Sequence, residues 1–91
     1  MSWFLYILLC DQKTYYVGTT DVLKRRIQQH KLKKSKYTKQ FSDVRLVYQE
    51  SLSNYRLTVK RERQIKRWTI AKKKALVSGN FKLLRELSKS H

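Results

Sequence analysis

The stretch Trp3-Phe4-Leu5-Tyr6-Ile7-Leu8-Leu9-Cys10, followed by Asp11-Gln12-Lys13-Thr14 and then Tyr15-Tyr16-Val17-Gly18-Thr19, decides the fold. Almost every position of 3–10 is apolar, which predicts a strand buried on both faces. The run is far shorter than the ~20 residues a membrane-spanning helix needs. Residues 11–14 read as a turn and 15–19 as a second strand, so the chain opens on a β-hairpin. Strand alternation makes that hairpin testable. Tyr6 and Tyr16 share a face of the sheet only if the loop has an odd residue count or a bulge intervenes, and we expect one of the two. Gly18, two residues beyond Tyr16, is then expected to leave room for a substrate backbone beside Tyr6.

Beyond the hairpin, Thr20-Asp21 offers a helix N-cap, and a helix is expected from about Val22 to Leu32. At about 100° per residue, Arg26 and His30 fall on the same arc as Leu23 and Ile27, whereas Arg25 points away. A basic helix that is only solvated has no reason to place an arginine and a histidine on its packing face; the plainer alternative is that both snorkel at the core's edge. Residues 33–43 form a basic loop containing Lys36-Tyr37-Thr38. Val44–Gln49 reads as a third strand, rich in β-branched and aromatic side chains. Ser51–Asn54 is a loop, and helices are expected at Arg56–Trp68 and Ile70–Val77. Ser78-Gly79-Asn80 then breaks the chain before a last short helix, Phe81–Leu87. The fold class is α+β: a small three-stranded sheet in the order β-β-α-β-α-α, closed by that short helix. Three strands cannot bury both faces unaided, so helices must flank them. Ninety-one residues make one domain, 1–91, with a modest core.

Composition narrows the partner. The formal charge is +16, from 22 basic and 6 acidic side chains. Residues 1–20 carry one Lys and one Asp, residues 24–40 eight basic side chains and no acid, and residues 56–74 nine basic side chains and one acid. The helices and the loop therefore carry the positive field, which points to a polyanion. Nucleic acid is favoured over an anionic membrane, because these helices lack a broad bulky apolar face for insertion. The one cysteine and the absence of proline leave no disulfide framework, and Cys10 reads as a small buried side chain in a reducing compartment. No signal-peptide pattern opens the chain, so a cytoplasmic location is expected.

Of the six acids, Asp11 lies in a turn, Asp21 at a helix start, Asp43 in a loop, Glu50 at a strand end and Glu86 near the C-terminus. A metal ligand needs a carboxylate on a rigid element facing the site, and Glu62 alone clearly qualifies, bordering the apolar stripe of its helix. Its simpler reading is an i,i+4 pair with Lys66. Two phenols, a guanidinium, an imidazole and one acid are the parts of a phosphodiester-cleaving site.

Phe4-Leu5-Tyr6 followed by Tyr16-Val17-Gly18 resembles the paired tripeptides of the GIY-YIG nuclease superfamily, with FLY in place of GIY. Arg26, ten residues after Tyr16, and the helical Glu62 match as well, and His30 occupies a position held by His or Tyr. Lys36-Tyr37-Thr38, Arg45-Leu46-Val47-Tyr48 and Arg61-Glu62-Arg63-Gln64-Ile65-Lys66 are similar to the small single-domain branch (YhbQ/URI type). The chain departs in Phe4, where a glycine leads the first tripeptide, and in Lys74, near where many members carry Asn. The resemblance implies a metal-dependent DNA endonuclease, single-strand or structure selective. Glu62 would hold one divalent ion, Mg²⁺ or Mn²⁺, and Arg26 would stabilise the pentacovalent phosphate. One tyrosine, Tyr6 by resemblance, would prepare the water with help from Tyr16 or His30; His30 is equally a candidate for the base. Arg26, the basic loop and a metal-bound substrate are expected to favour the phenolate. Gly18, Lys36, Tyr37, Arg61 and Lys66 are expected to line the substrate path, with Tyr37 either stacking on an unpaired base or capping the core. The alternative is a non-catalytic DNA- or RNA-binding module on the same fold; a third option is a nuclease subunit completed by a protein partner.

Overall fold

The computed structural model describes residues 2–89. The elements run β1 (Trp3–Cys10), β2 (Thr14–Thr20), α1 (Leu23–Lys31), β3 (Val44–Leu52), α2 (Tyr55–Lys66), α3 (Ile70–Ser78) and α4 (Phe81–Lys89). The sheet is antiparallel with strand order β2-β1-β3, so the apolar strand β1 sits in the middle, where both of its faces are covered.

The hairpin loop is Asp11-Gln12-Lys13, because Cys10 pairs with Thr14. Asp11 and Gln12 both take positive φ, and the Lys13 N–H donates to the Cys10 carbonyl (3.2 Å). Two successive left-handed residues give the turn the twist that hairpin strands need. Neither is glycine, and an outside tie holds the tip in place: the Asp11 N–H donates to the Asp43 carbonyl, and the Asp43 N–H donates to the Asp11 carboxylate, each at 2.8 Å. The odd loop puts Tyr6, opposite Gly18, and Tyr16, opposite Leu8, on one face, as expected from parity.

That parity sorts the core into two clusters. Leu5, Ile7 and Val17 pack with Ile65 and Leu76 on the face covered by α2 and α3. Tyr6, Leu8 and Cys10 pack with Tyr16, Leu23, Ile27, Phe41 and Val44 on the face covered by α1. The third strand runs three residues further than the alternation indicated, to Leu52. Its register slips between Ile7 and Leu8, leaving Val47 without a partner of its own, and both Val47 and Tyr48 turn toward the α2–α3 core.

The helix starts follow capping chemistry. Asn54 accepts from the Leu57 N–H, Thr69 from the Lys72 N–H, and Asn80 from the Leu83 N–H. Gly79 ends α3 at φ 74, a left-handed C-cap. The first helix differs from expectation. It begins at Leu23 after Val22, which has no side-chain cap; the Thr20 hydroxyl instead accepts the Val22 N–H (3.2 Å) and shapes the approach to the helix.

Candidate active site

The hairpin's parity and the pitch of α1 bring four side chains together. Tyr6 projects from the middle strand and is 1 % exposed; His30, on the last turn of α1, is 0 % exposed. Their contact is a hydrogen bond of 2.9 Å between the Tyr6 hydroxyl and His30 Nε2. One turn earlier on α1, Arg26 Nε donates to the Tyr6 hydroxyl oxygen (3.3 Å), while its Nη1 donates to Gln29 Oε1 (3.1 Å). Tyr16 lies across the same face, 6.4 Å from the Tyr6 ring and 5.3 Å from the imidazole, centroid to centroid. On the far side of His30, Nδ1 meets the Thr38 hydroxyl at 2.6 Å, and Thr38 is also fully buried.

The protonation of this chain follows from its partners. Burial, with the Arg26 charge adding to it, holds the His30 pKa down to about 4, so the imidazole is neutral at pH 7 and carries one N–H. The neutral ring has two tautomers: with its hydrogen on Nδ1 it accepts from the Tyr6 hydroxyl and donates to Thr38, and with its hydrogen on Nε2 both bonds reverse. In the first, the order is Arg26 to Tyr6 to His30 to Thr38, every link pointing the same way. Burial pushes the Tyr6 hydroxyl up to about 12; the Arg26 hydrogen bond pulls the other way, and the neighbouring Tyr16 and Glu62 add to the rise. The expected ease of forming the phenolate is thus corrected for the resting cluster: Arg26 does act in that direction, but desolvation outweighs it.

The remaining candidates separate. Glu62 comes from α2, which packs against β1 and the edge strand β2, and its carboxylate lies near enough to act on the Tyr6 hydroxyl. Its side chain is 19 % exposed and pairs with Lys66 at 3.2 Å, the i,i+4 partner of its simpler reading. Tyr37 stacks on Tyr16 (6.2 Å, 27°) yet is 57 % exposed, with Lys36 Nζ 5.2 Å above its ring; it extends the aromatic wall of the cluster outward instead of closing the core.

Two expectations are corrected. Gly18 does not hold space open for a substrate. A Cβ there would lie 2.5 Å from the Tyr6 hydroxyl and 3.1 Å from the Tyr16 ring, so the missing side chain makes room for the phenol itself. Arg61 does not face the cluster. It grips Glu50 through Nε and Nη2 (3.0–3.2 Å) and lies 5.4 Å from the Trp68 ring. Glu50 pairs with Leu5 in the sheet and so shares the α2–α3 face, not the face of Tyr6. Arg61 is thus a structural partner that neutralises a half-buried carboxylate beside the Tyr48 hydroxyl.

Thr38 and Gln29 were not singled out from the sequence. Thr38 sits in a segment whose composition indicates only a basic loop, and nothing local signals that residues 35 and 38 turn inward to become buried. Gln29 had a detectable signal, the i,i+3 spacing from Arg26. Among the described residues no three His, Cys, Asp or Glu side chains gather, so a cation at Glu62 would rest on one carboxylate. That donor set fits a hard ion such as Mg²⁺ or Mn²⁺, which keeps most of its waters and takes substrate oxygens as further ligands. No helix among the described residues is long and apolar enough to cross a membrane.

Comparison with known proteins gives the family. Residues 2–75 match the family model described as the GIY-YIG catalytic domain. A UPF0213 protein of Syntrophus aciditrophicus is 39 % identical over 79 residues, covering 85 % of this chain and 91 % of the relative. Another, from Desulfotalea psychrophila, is 36 % identical over 83 residues, covering 89 % and 76 %. The solution NMR structure of a UPF0213 protein from Bacillus halodurans superposes with a TM-score of 0.56 at 33 % identity, covering 86 % of this chain and 84 % of that one. The two tyrosines on one sheet face, answered by Arg26 and His30 from the next helix, thus lie within a chain that belongs to the GIY-YIG family, in its UPF0213 branch, and this membership implies a nuclease-type activity.

Proposed function

We propose that this protein is a single-domain, metal-dependent DNA endonuclease of the cytoplasm, hydrolysing phosphodiester bonds at the Tyr6 cluster. The observation that carries the reading is the unbroken series of hydrogen bonds linking Arg26, Tyr6, His30 and Thr38. A phenol serving only as packing has no need of an arginine on one side and a neutral imidazole on the other. Glu62 would hold one divalent cation, Mg²⁺ or Mn²⁺, which supplies charge neutralisation on the phosphate when bound.

The chain's own residues supply the proton path and the anion clamp. Tyr16, less buried than Tyr6, orients the attacking water against the phosphate. As the water oxygen forms its bond to phosphorus, its proton passes to the Tyr6 oxygen while the Tyr6 proton moves to His30 Nε2. Thr38 keeps Nδ1 of the resulting imidazolium hydrogen-bonded. Arg26, fixed by Tyr6 and Gln29, directs its remaining N–H groups at the phosphoryl oxygens as negative charge builds there. The bond to the leaving oxygen then breaks, and solvent protonates that oxygen. A substrate phosphate beside Arg26 offsets the positive charge that holds the His30 pKa down, so substrate binding itself readies the acceptor. The excess of basic side chains favours a nucleic acid, DNA over RNA, as the polyanion.

The test is cleavage of labelled single-stranded, duplex and branched DNA with Mg²⁺ and with Mn²⁺, using the native chain beside Glu62→Gln and Arg26→Ala. Cutting by the native chain, lost in both variants, supports the reading. Binding of every substrate with none cut moves the protein to a non-catalytic nucleic-acid-binding module.

A further inference from the structure

Away from Tyr6, a groove of about 970 Å³ runs along the outer side of α2, walled by Arg56, Lys60, Arg63 and Arg67 and closed by Trp68 and by Lys72 of α3. Arg56, Lys60 and Arg63 of α2 and its C-cap Arg67 are spaced by four, three and four residues, which makes one stripe along the helix. Glu62 and the buried Ile65 lie on the other side of α2, so the stripe and the candidate catalytic acid look in different directions.

Three features set the groove apart from an ordinary solvated face. No acid lines it, and none of its five cations is among the ion pairs of the described residues. The carboxylates of Glu50 and Glu62 are engaged elsewhere, by Arg61 and by Lys66. Arg56/Lys60 and Arg63/Arg67 are like-charge pairs at i,i+4, and Arg56 and Lys72 stand in the first turns of α2 and α3, where a positive charge opposes the helix dipole. Arg56 and Lys72 thus oppose the dipoles of their helices, whereas Arg63 and Arg67 sit at the favourable C-terminal end of α2; an anion in the groove relieves the like-charge repulsion along the stripe. The walls are also aromatic. Trp68 lies between Arg61 and Lys72 (5.4 and 5.1 Å), and the exposed Tyr55 packs at 4.7 Å on Trp3.

We propose that this groove binds a single strand of nucleic acid, its phosphates along the stripe and a base against the exposed Tyr55 at the N-terminal end of α2. A concave basic channel with aromatic walls fits an unpaired strand, whose bases are free to stack. The length of α2, about 18 Å, spans several phosphates. The strand in the groove is a segment other than the one presenting the scissile phosphate. The inference rests on the nucleic-acid half of the proposed function and is independent of hydrolysis.

The test is binding of a labelled 12-nucleotide single strand and of a blunt duplex of the same length, in EDTA so that nothing is cut, across a salt series. Arg63→Gln/Arg67→Gln changes two exposed side chains, and its fold is checked by circular dichroism. We expect single-strand affinity to fall about tenfold or more, and the slope of log K against log salt to become shallower by about 1.4, at about 0.7 per phosphate contact on a single strand. Lys74→Gln/Lys82→Gln, the same charge change outside the groove, should weaken binding by less than about threefold. Equal loss in both double variants overturns the proposal in favour of diffuse charge. A duplex bound as tightly as the single strand and equally weakened by Arg63→Gln/Arg67→Gln overturns the single-strand assignment. Loss of binding to phosphatidylserine vesicles, with the oligonucleotide unaffected, makes the groove a membrane contact. If the strand binds as expected and no DNA is ever cut, the groove stands and the hydrolytic reading falls.

Discussion

On one face of the sheet Leu5, Ile7 and Val17 meet Ile65 and Leu76; on the other, Tyr6 meets His30 and Arg26, and His30 meets Thr38. Both sets are buried or nearly so, and they depend on different physics. The apolar face is held by area removed from water, which is non-directional and adds up over many contacts. The polar face is held by a short series of directed hydrogen bonds between groups that burial keeps uncharged at His30 and Tyr6. Such a cluster contributes little net stability while every member is paired, and becomes costly as soon as one is left alone. Stability and chemistry are thus divided between the two sides of β1, whose alternate residues serve each in turn.

The sharpest way to break that division is to compare one side chain from each face. Tyr6→Phe keeps the ring and removes the oxygen that links Arg26 to His30. DNA cleavage should fall by about 10²–10⁴, the range for a positioned proton-transfer group, while the buried His30 Nε2 left without its partner costs about 1–3 kcal/mol of stability. Ile65→Ala should lose stability and keep activity. Deleting a fully buried branched side chain costs about 2–5 kcal/mol, read as a lower urea midpoint, while the activity of the chain that remains folded, assayed well below its melting temperature, stays near native. If Tyr6→Phe destabilises as much as Ile65→Ala and both lose activity together, the two faces are not separable.

Gly18→Ala sharpens the comparison at the seam. A methyl there would sit 2.5 Å from the Tyr6 hydroxyl, so the phenol must move or the strands must part. Overpacking of this kind costs about 1–3 kcal/mol. Because the ring displaced belongs to the hydrogen-bond chain, the cleavage rate should drop by more than tenfold. Gly18→Ala/Tyr6→Phe should recover neither stability nor activity, because the ring carbon Cζ remains 2.6 Å from the added methyl. Full recovery of stability in that double variant would mean that the hydroxyl alone is crowded.

The same contrast explains what could be read from the sequence. The apolar face follows from alternation: residues 3–10 indicate a middle strand, and the requirement that Tyr6 and Tyr16 share a face indicates an odd loop, which the structure has as Asp11-Gln12-Lys13. Arg26 and His30 were legible because helical periodicity sets them beside Leu23 and Ile27. Thr38 was not, since its burial depends on how a basic loop folds back over the end of α1, and a loop has no period to read. Arg61 was misplaced for a related reason. Its neighbours in sequence surround Glu62, but its guanidinium follows a carboxylate on β3 that becomes its neighbour only once the sheet has formed. The extra strand residues to Leu52 and the slip at Val47 are likewise products of pairing, not of local propensity.

The smallest expected effect is the most specific to the polar face. His30 titrates at about 4 in the folded chain against about 6.5 when unfolded. A depressed histidine pKa means that the unfolded chain takes up the proton first as pH falls. The contribution to stability is therefore fully present above pH 6.5 and is lost between 6.5 and 4, with a slope of at most about 1.4 kcal/mol per pH unit. Tyr6 acts at the other end: its raised pKa means that stability falls as pH climbs from 10 toward 12. Thr38→Val removes the acceptor for the Nδ1 hydrogen and leaves that donor buried without a partner. Stability should drop by about 1–3 kcal/mol, and the imidazole becomes free to carry its hydrogen on Nε2, where it can no longer accept from Tyr6. Thr38→Ser should restore both stability and cleavage, because the hydroxyl alone orders the ring. Nitrogen chemical shifts of the His30 ring report the tautomer directly. A native chain with its hydrogen on Nε2 would reverse the direction of the whole hydrogen-bond chain, and the polar face would then be an unusual core instead of a proton path.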